Sequence, residues 1–101
     1  MNSIKQWRRL LVAKRKFDMA KSFKRDLKKH YLALVGEAWT EVSNCLLNGL
    51  PVPEKYQDHP LRGDKSGLRD CHIKPDLVLI YKIVDDVVEL HYLDSHSEIF
   101  G

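Results

Sequence analysis

Long apolar runs are missing from this 101-residue chain, which nowhere approaches the ~20 consecutive apolar residues of a membrane-spanning helix. No uninterrupted apolar stretch follows the basic N-terminus either, so the sequence reads as neither secreted nor membrane-inserted. Cysteine is scarce. The two present, Cys45 and Cys71, have neither the pattern of a disulfide framework nor zinc-ligand spacing, which suits two core thiols in a reducing cytoplasm. The five glycines form no phosphate-cradling loop, and no His-Glu-x-x-His helix is present. Apolar residues at 44% and charged residues at 31% are ordinary for a globular protein. A chain of this length supports one domain with one modest core, burying roughly two-thirds of its unfolded surface.

The net charge of +3 conceals an asymmetry. Residues 1–30 carry eleven Lys/Arg against two acids, Asp18 and Asp26, a balance of +9. Residues 31–101 carry six Lys/Arg against twelve acids, a balance of −6. A basic segment on an acidic small domain is the electrostatic footprint of a polyanion partner, although a solvated lysine-rich helix face has the same composition.

Residues 1–13 can form a short amphipathic helix through Ile4, Trp7, Leu10 and Leu11, or a frayed extension whose Trp7 serves packing or oligomer contacts. Lys14–Asp18 reads as a short strand entering a helix, with Asp18 or Ser22 near the helix start. Apolar positions Phe23, Leu27, Tyr31 and Leu34 recur at helical spacing from about Ala20 to Leu34. Gly36 breaks that run. A second helix is predicted from about Glu37 to Leu47, with Ala38, Trp39, Val42, Cys45 and Leu46 on one side and Asn48-Gly49 as its stop. The short link between the two helices implies an antiparallel hairpin.

Prolines and glycines punctuate residues 50–63, read as loop with an extended piece near His59–Arg62. Beyond it the period becomes two, and residues 68–74, 77–84 and 87–93 read as three strands. A two-residue turn at Asp85-Asp86 pairs Val84 with Val87, Ile83 with Val88, Lys82 with Glu89, Tyr81 with Leu90, Ile80 with His91 and Leu79 with Tyr92. That register gathers Leu79, Tyr81, Ile83, Val88, Leu90 and Tyr92 on one apolar face. Two helices covering that face give an α+β sandwich, with Asp76, Ile80, Lys82 and His91 on an open face suited to binding.

Four of the five histidines follow the helices: His59, His72, His91 and His96. Strand alternation puts Asp70 beside His72 on one face and Cys71 with Ile73 on the other, so that the carboxylate can orient the ring or hold its proton. No His/Asp pair has characteristic metal-ligand spacing, which argues against a zinc site.

Three segments carry a more specific signal: Asp58-His59-Pro60-Leu61-Arg62-Gly63, the run Gly67 to Tyr81, and Ser95-His96-Ser97-Glu98-Ile99-Phe100. In this order and spacing, with the Lys-Ser-Phe-Lys-Arg-Asp-Leu-Lys-Lys opening of the first helix, they resemble the YafQ-type branch of the RelE/ParE toxin superfamily. The likeness runs from about Lys14 to Gly101. It implies a RelE-like α+β fold, with two N-terminal helices packed on a curved, mainly antiparallel sheet. It also implies a type II toxin that enters the ribosomal A site of the 70S ribosome and cuts mRNA there, without metal or cofactor, leaving a cyclic phosphate or 3′-phosphate. The implied partner is a RelB/DinJ-like antitoxin, through which alone operator DNA is met; no membrane is involved.

The resemblance assigns function to His59, His72, Asp76, His96 and Phe100, with Asp70 as a further candidate. Cleavage by the RNA's own 2′-hydroxyl needs a base, an acid for the 5′-oxygen and positive charge near the phosphate. On this reading His96 is the acid and His72, held by Asp70 or Asp76, its partner. His59 and Arg69 contact phosphate, Phe100 stacks on a base, and Lys24, Lys28 and Lys29 grip ribosomal RNA. Where relatives usually have an arginine in the last strand and a glycine before Ser-His, this chain has Tyr92 and Asp94. The first removes a phosphate cation, and the second adds a negative charge expected to lower activity or alter codon preference. His91 matches no family position. Two other readings share parts of this outline: a ParE-like gyrase blocker that cleaves nothing, and a catalytically weakened protein that still binds antitoxin.

Overall fold

The computed structural model of the protein describes residues 14–101. The amphipathic stretch read into residues 1–13 lies outside them. Strand β1 (Lys16–Met19) leads into helix α1 (Lys21–His30), which tightens into a 3₁₀ turn over Tyr31–Val35 before helix α2 (Glu37–Asn48). A loop with a 3₁₀ turn at Glu54–Tyr56 reaches the two-residue strand β2 (His59–Pro60), and another 3₁₀ turn (Gly63–Lys65) precedes β3 (Arg69–Lys74). Strands β4 (Leu77–Val84) and β5 (Val87–Asp94) form a hairpin, and a short helix α3 (His96–Phe100) ends the chain. The five strands form one sheet in the order β1-β5-β4-β3-β2, antiparallel except for the β1–β5 pair.

The core lies between one sheet face and the two long helices. Phe23 of α1 and Val42 and Leu46 of α2 pack with Cys71, Leu79, Tyr81, Val88, Leu90 and Leu93. Helix α1 lies mainly on β5 and α2 on β3, so each N-terminal helix is anchored to its own strand rather than chiefly to the other helix. Gly49 ends α2 with φ 67°, the left-handed conformation a side chain disfavours. Both cysteines are buried, and desolvation pushes the Cys71 thiol up to about 12. Among the described residues, no helix is long and apolar enough to cross a membrane.

The hairpin register holds from Val84–Val87 through Tyr81–Leu90 and then slips by one. Ile80 faces Tyr92, and Leu79 faces Leu93. His91 is the extra residue of a β-bulge, so every later side chain on β5 changes face. Leu93 therefore replaces Tyr92 in the core, which retains the roughly 1.5–3 kcal/mol that burying a leucine contributes. The bulge falls where β1 ends, leaving β5 without a neighbour on that side. Helix α1 supplies the missing partners: Ser22 Oγ donates to the His91 carbonyl at 2.5 Å, and Asp26 Oδ2 accepts from the Leu93 N–H at 3.0 Å. Ser22 is thus not the helix cap, and neither is Asp18; Ala20 occupies that position without a side-chain bond.

The second face of the sheet is less open than the alternation predicts. Ile80 is buried between Asp70 and Tyr92 in the ladder, and Asp76 lies in the β3–β4 turn rather than on a strand. His91 sits beside Glu89, 3.2 Å away.

Candidate active site

Strand β3 alternates Asp70 and His72 away from the core that takes Cys71 and Ile73. Across the sheet Asp70 is flanked by His59 on β2 and Ile80 on β4. After β5, Ser95 caps α3 by accepting the Glu98 N–H on its Oγ at 3.2 Å, and the chain turns back so that His96 faces β3. The Nε2 atoms of His72 and His96 then lie 3.5 and 3.3 Å from Asp70 Oδ1 and Oδ2. The two ring centroids are 5.2 Å apart. Phe100, one helical turn beyond His96, brings its half-exposed ring to 5.6 Å from the imidazole.

Asp70 is only 1% exposed, yet its Oδ1 has no hydrogen-bond partner. Both imidazole contacts exceed the usual N–H···O range of about 2.7–3.2 Å. A buried carboxylate left in this state is costly, and the two rings beside it are the groups able to relieve it by presenting an N–H. One carboxylate facing two imidazoles is an arrangement that can support paired proton-donor and proton-acceptor roles. The same three residues offer donor atoms within 4.8 Å of one another, and the orphaned Oδ1 makes the set fit a borderline divalent metal as well.

His59 stands at the rim, exposed, with Nδ1 2.7 Å from the Gln57 carbonyl. A carbonyl only accepts, so Nδ1 donates. Its neighbour Asp58 holds the guanidinium of Arg69 through Nε at 3.3 Å and Nη2 at 3.0 Å, and also accepts from the Tyr81 hydroxyl. These bonds raise the Arg69 guanidinium further, and burial together with Asp58 drives the Tyr81 phenol well above its ordinary value. The clamp fixes the chain just before β2 and so sets His59 beside Asp70. A cleft of about 430 Å³ leads away from His72 between Lys55–Gln57 and Lys74–Pro75.

Residues 15–101 match the family described as the bacterial toxin of type II toxin-antitoxin system, YafQ. The chain belongs to the YafQ toxin family. It is 46% identical over 91 residues to a Haemophilus influenzae protein named as a YafQ toxin, covering 82% of this chain and 89% of that one. It is 44% identical over 54 residues to the mRNA interferase toxin YafQ of Escherichia coli K12, covering 54% and 59%. Among solved structures, YafQ in the E. coli DinJ-YafQ toxin-antitoxin complex superimposes with TM-score 0.74 at 31% identity, over 87% of this chain and 99% of that one. A copper-bound mutant toxin from Helicobacter pylori gives TM-score 0.74 at 41% identity, over 84% and 98%.

In this YafQ chain, then, the sequence-assigned residues separate into groups. Asp70, His72, His96 and Phe100 come together, and His59 borders them. Asp76 does not join them; it lines a separate cavity of about 380 Å³ with Lys29, His30 and Lys74, so Asp70 is the carboxylate beside His72. Arg69 is committed to Asp58 instead of standing free for phosphate. Lys24 and Lys28 line an apolar hollow on α1 with Met19, Leu27 and Tyr31. Lys29 pairs with Asp94 at 3.2 Å.

Asp94 also departs from expectation. It is not an added negative charge facing the histidines, because Lys29, His30 Nε2 (3.0 Å) and the Ser95 N–H (2.9 Å) all hold it. Burial alone would raise its carboxyl, but the Ser95, His30 and Lys29 contacts outweigh burial and lower it below its ordinary 3.8. Its stabilising contribution is therefore present above that value and fades as pH falls through the lower, folded-state one. Asp94→Asn is expected to reduce the urea midpoint at pH 7, with the deficit shrinking as pH falls below the carboxyl's ordinary value. A deficit that does not shrink would show that the charge is irrelevant.

Proposed function

We propose that this YafQ toxin is a ribosome-dependent mRNA endoribonuclease, held inactive by a DinJ-like antitoxin and cutting by acid/base chemistry at Asp70, His72 and His96. The observation that carries the reading is the pair of imidazoles set 5.2 Å apart on one buried carboxylate. His72 takes the proton from the 2′-hydroxyl as that oxygen forms its bond to phosphorus. His96 gives its proton to the 5′-oxygen as the P–O5′ bond breaks. Upstream RNA is left with a 2′,3′-cyclic phosphate and downstream RNA with a 5′-hydroxyl. The Asp70 carboxylate faces both rings and stabilises whichever one is charged. Phe100 offers a face for a base beside the scissile phosphate.

A bound copper or zinc ion would be held by these same three side chains and would occupy the lone pairs that proton transfer needs. The ribosome would supply mRNA in an extended, single-stranded form whose phosphates can lie across the two imidazoles.

Mapping the 5′ ends of cellular mRNA after brief induction tests the proposal. New in-frame ends should appear with the wild type and vanish with His96→Ala. Intact mRNA accompanied by a DNA-damage response would favour the gyrase-blocking reading instead. Intact mRNA with antitoxin binding retained would favour the non-catalytic one.

A further inference from the structure

Phosphodiester cleavage at the two histidines needs a cation for the charge that builds on phosphorus, and several of the nearby ones are engaged elsewhere. Arg69 is bound to Asp58, Lys29 to Asp94 and Lys55 to Glu41. Lys74 lies at the far end of β3, on the cleft side of His72. Lys65 differs from all of these. Its Nζ sits 5.6 Å from the centroid of Tyr92 and 6.0 Å from that of Phe100, the ring that itself adjoins His96. No carboxylate lies within ion-pair distance of it among the described residues.

The bulge at His91 makes this placement possible, because it turns Tyr92 out of the core and onto the histidine face. Two aromatic faces attract an ammonium without neutralising it, so its charge remains available to a phosphate. Lys65 is carried by a short turn between Gly63 and Gly67, which have φ of 72° and 94° and open space around both α-carbons. That turn can adjust by the small distance needed to follow an incoming strand.

We propose that Lys65 is the phosphate-binding cation of this site, donating from Nζ to a non-bridging oxygen of the phosphodiester between His72 and His96. Tyr92 and Phe100 hold the ammonium in place, and its charge offsets the negative charge of the pentacoordinate transition state. Bond making and breaking are those given above; Lys65 transfers no proton. The inference rests on the nuclease reading, and its test separates the two.

The experiment is single-turnover cleavage on programmed ribosomes, with a normal or a phosphorothioate scissile linkage. Lys65→Met keeps an unbranched side chain of similar length beside the two rings and removes the charge. It should slow cleavage on the order of 10²-fold. Lys65→Arg should recover most of the loss, because a guanidinium also donates to phosphate oxygens. Sulfur substitution should slow the wild type markedly and Lys65→Met hardly at all, while the urea midpoints stay equal. Full activity in Lys65→Met would overturn the proposal and leave the nuclease reading intact. A slow Lys65→Met with an undiminished sulfur effect would overturn it too, showing that Lys65 merely props the rings. A wild type that does not cleave would overturn both.

Discussion

Replacing His96 by alanine is expected to lower single-turnover mRNA cleavage on the ribosome by on the order of 10³-fold, within the range spanned by loss of a positioned general acid. The 5′-alkoxide is a poor leaving group, and His96 is the ring on α3 that combines an exposed edge with a buried countercharge. Its side chain is 46% exposed while Asp70 is 2% exposed at the same contact, so one edge is open to a substrate and the other meets the carboxylate. His96→Gln keeps a hydrogen-bonding group there but cannot deliver a proton, and should be nearly as slow. Growth arrest on induction should disappear with either variant. Helix α3 should persist in both variants, because it buries no residue and its Ser95 cap is independent of the imidazole. Antitoxin binding and the urea midpoint, measured on the same preparations, would separate lost chemistry from lost structure.

Asp70→Asn is the second substitution of large effect, and it separates activity from stability. Asp70 is almost wholly buried, carries an unpartnered oxygen, and meets the two rings only at 3.5 and 3.3 Å. An amide of the same shape removes the unpartnered buried charge, so the variant should be at least as stable as the wild type. Cleavage should fall on the order of 10²-fold, since nothing then stabilises the ring that becomes charged as protons move. Urea unfolding and single-turnover kinetics on the same sample check both halves. A variant less stable by several kcal/mol yet fully active would mean that Asp70 serves the core and not the histidines.

The sheet and much of the candidate site were legible in the sequence because their signals are local. Alternation in Asp70-Cys71-His72-Ile73 tells which side chains share a face, and Asp85-Asp86 sets the hairpin by opposing Lys82 to Glu89. Asp85 takes a φ of 56°, a conformation aspartate tolerates better than most residues. The bulge at His91 was not legible from alternation alone, since Tyr92 is apolar enough to fill the place that Leu93 takes. Its signature was present but distant: Ser22 and Asp26, four residues apart on α1, are spaced to satisfy the backbone groups that a bulge frees.

Charges were harder to place than strands. Arg69 and Lys29 looked available because their partners, Asp58 and Asp94, lie eleven and sixty-five residues away and meet them only in the folded chain. Lys65 escapes a reading of the sequence for the converse reason. It sits in a glycine-flanked loop that reads as punctuation, and its two aromatic partners approach from β5 and α3. Asp76 and Asp70 were equivalent candidates for holding His72 until the β3–β4 turn put one of them out of reach.

The chemistry of the cut ends tests the central claim most directly. RNA recovered from ribosomes after cleavage by the purified toxin should carry a 2′,3′-cyclic phosphate or its 3′-phosphate product upstream and a 5′-hydroxyl downstream, as resolved by mass spectrometry. A 3′-hydroxyl paired with a 5′-phosphate would mean that water attacked phosphorus in place of the 2′-oxygen, and would contradict the roles given to His72 and His96.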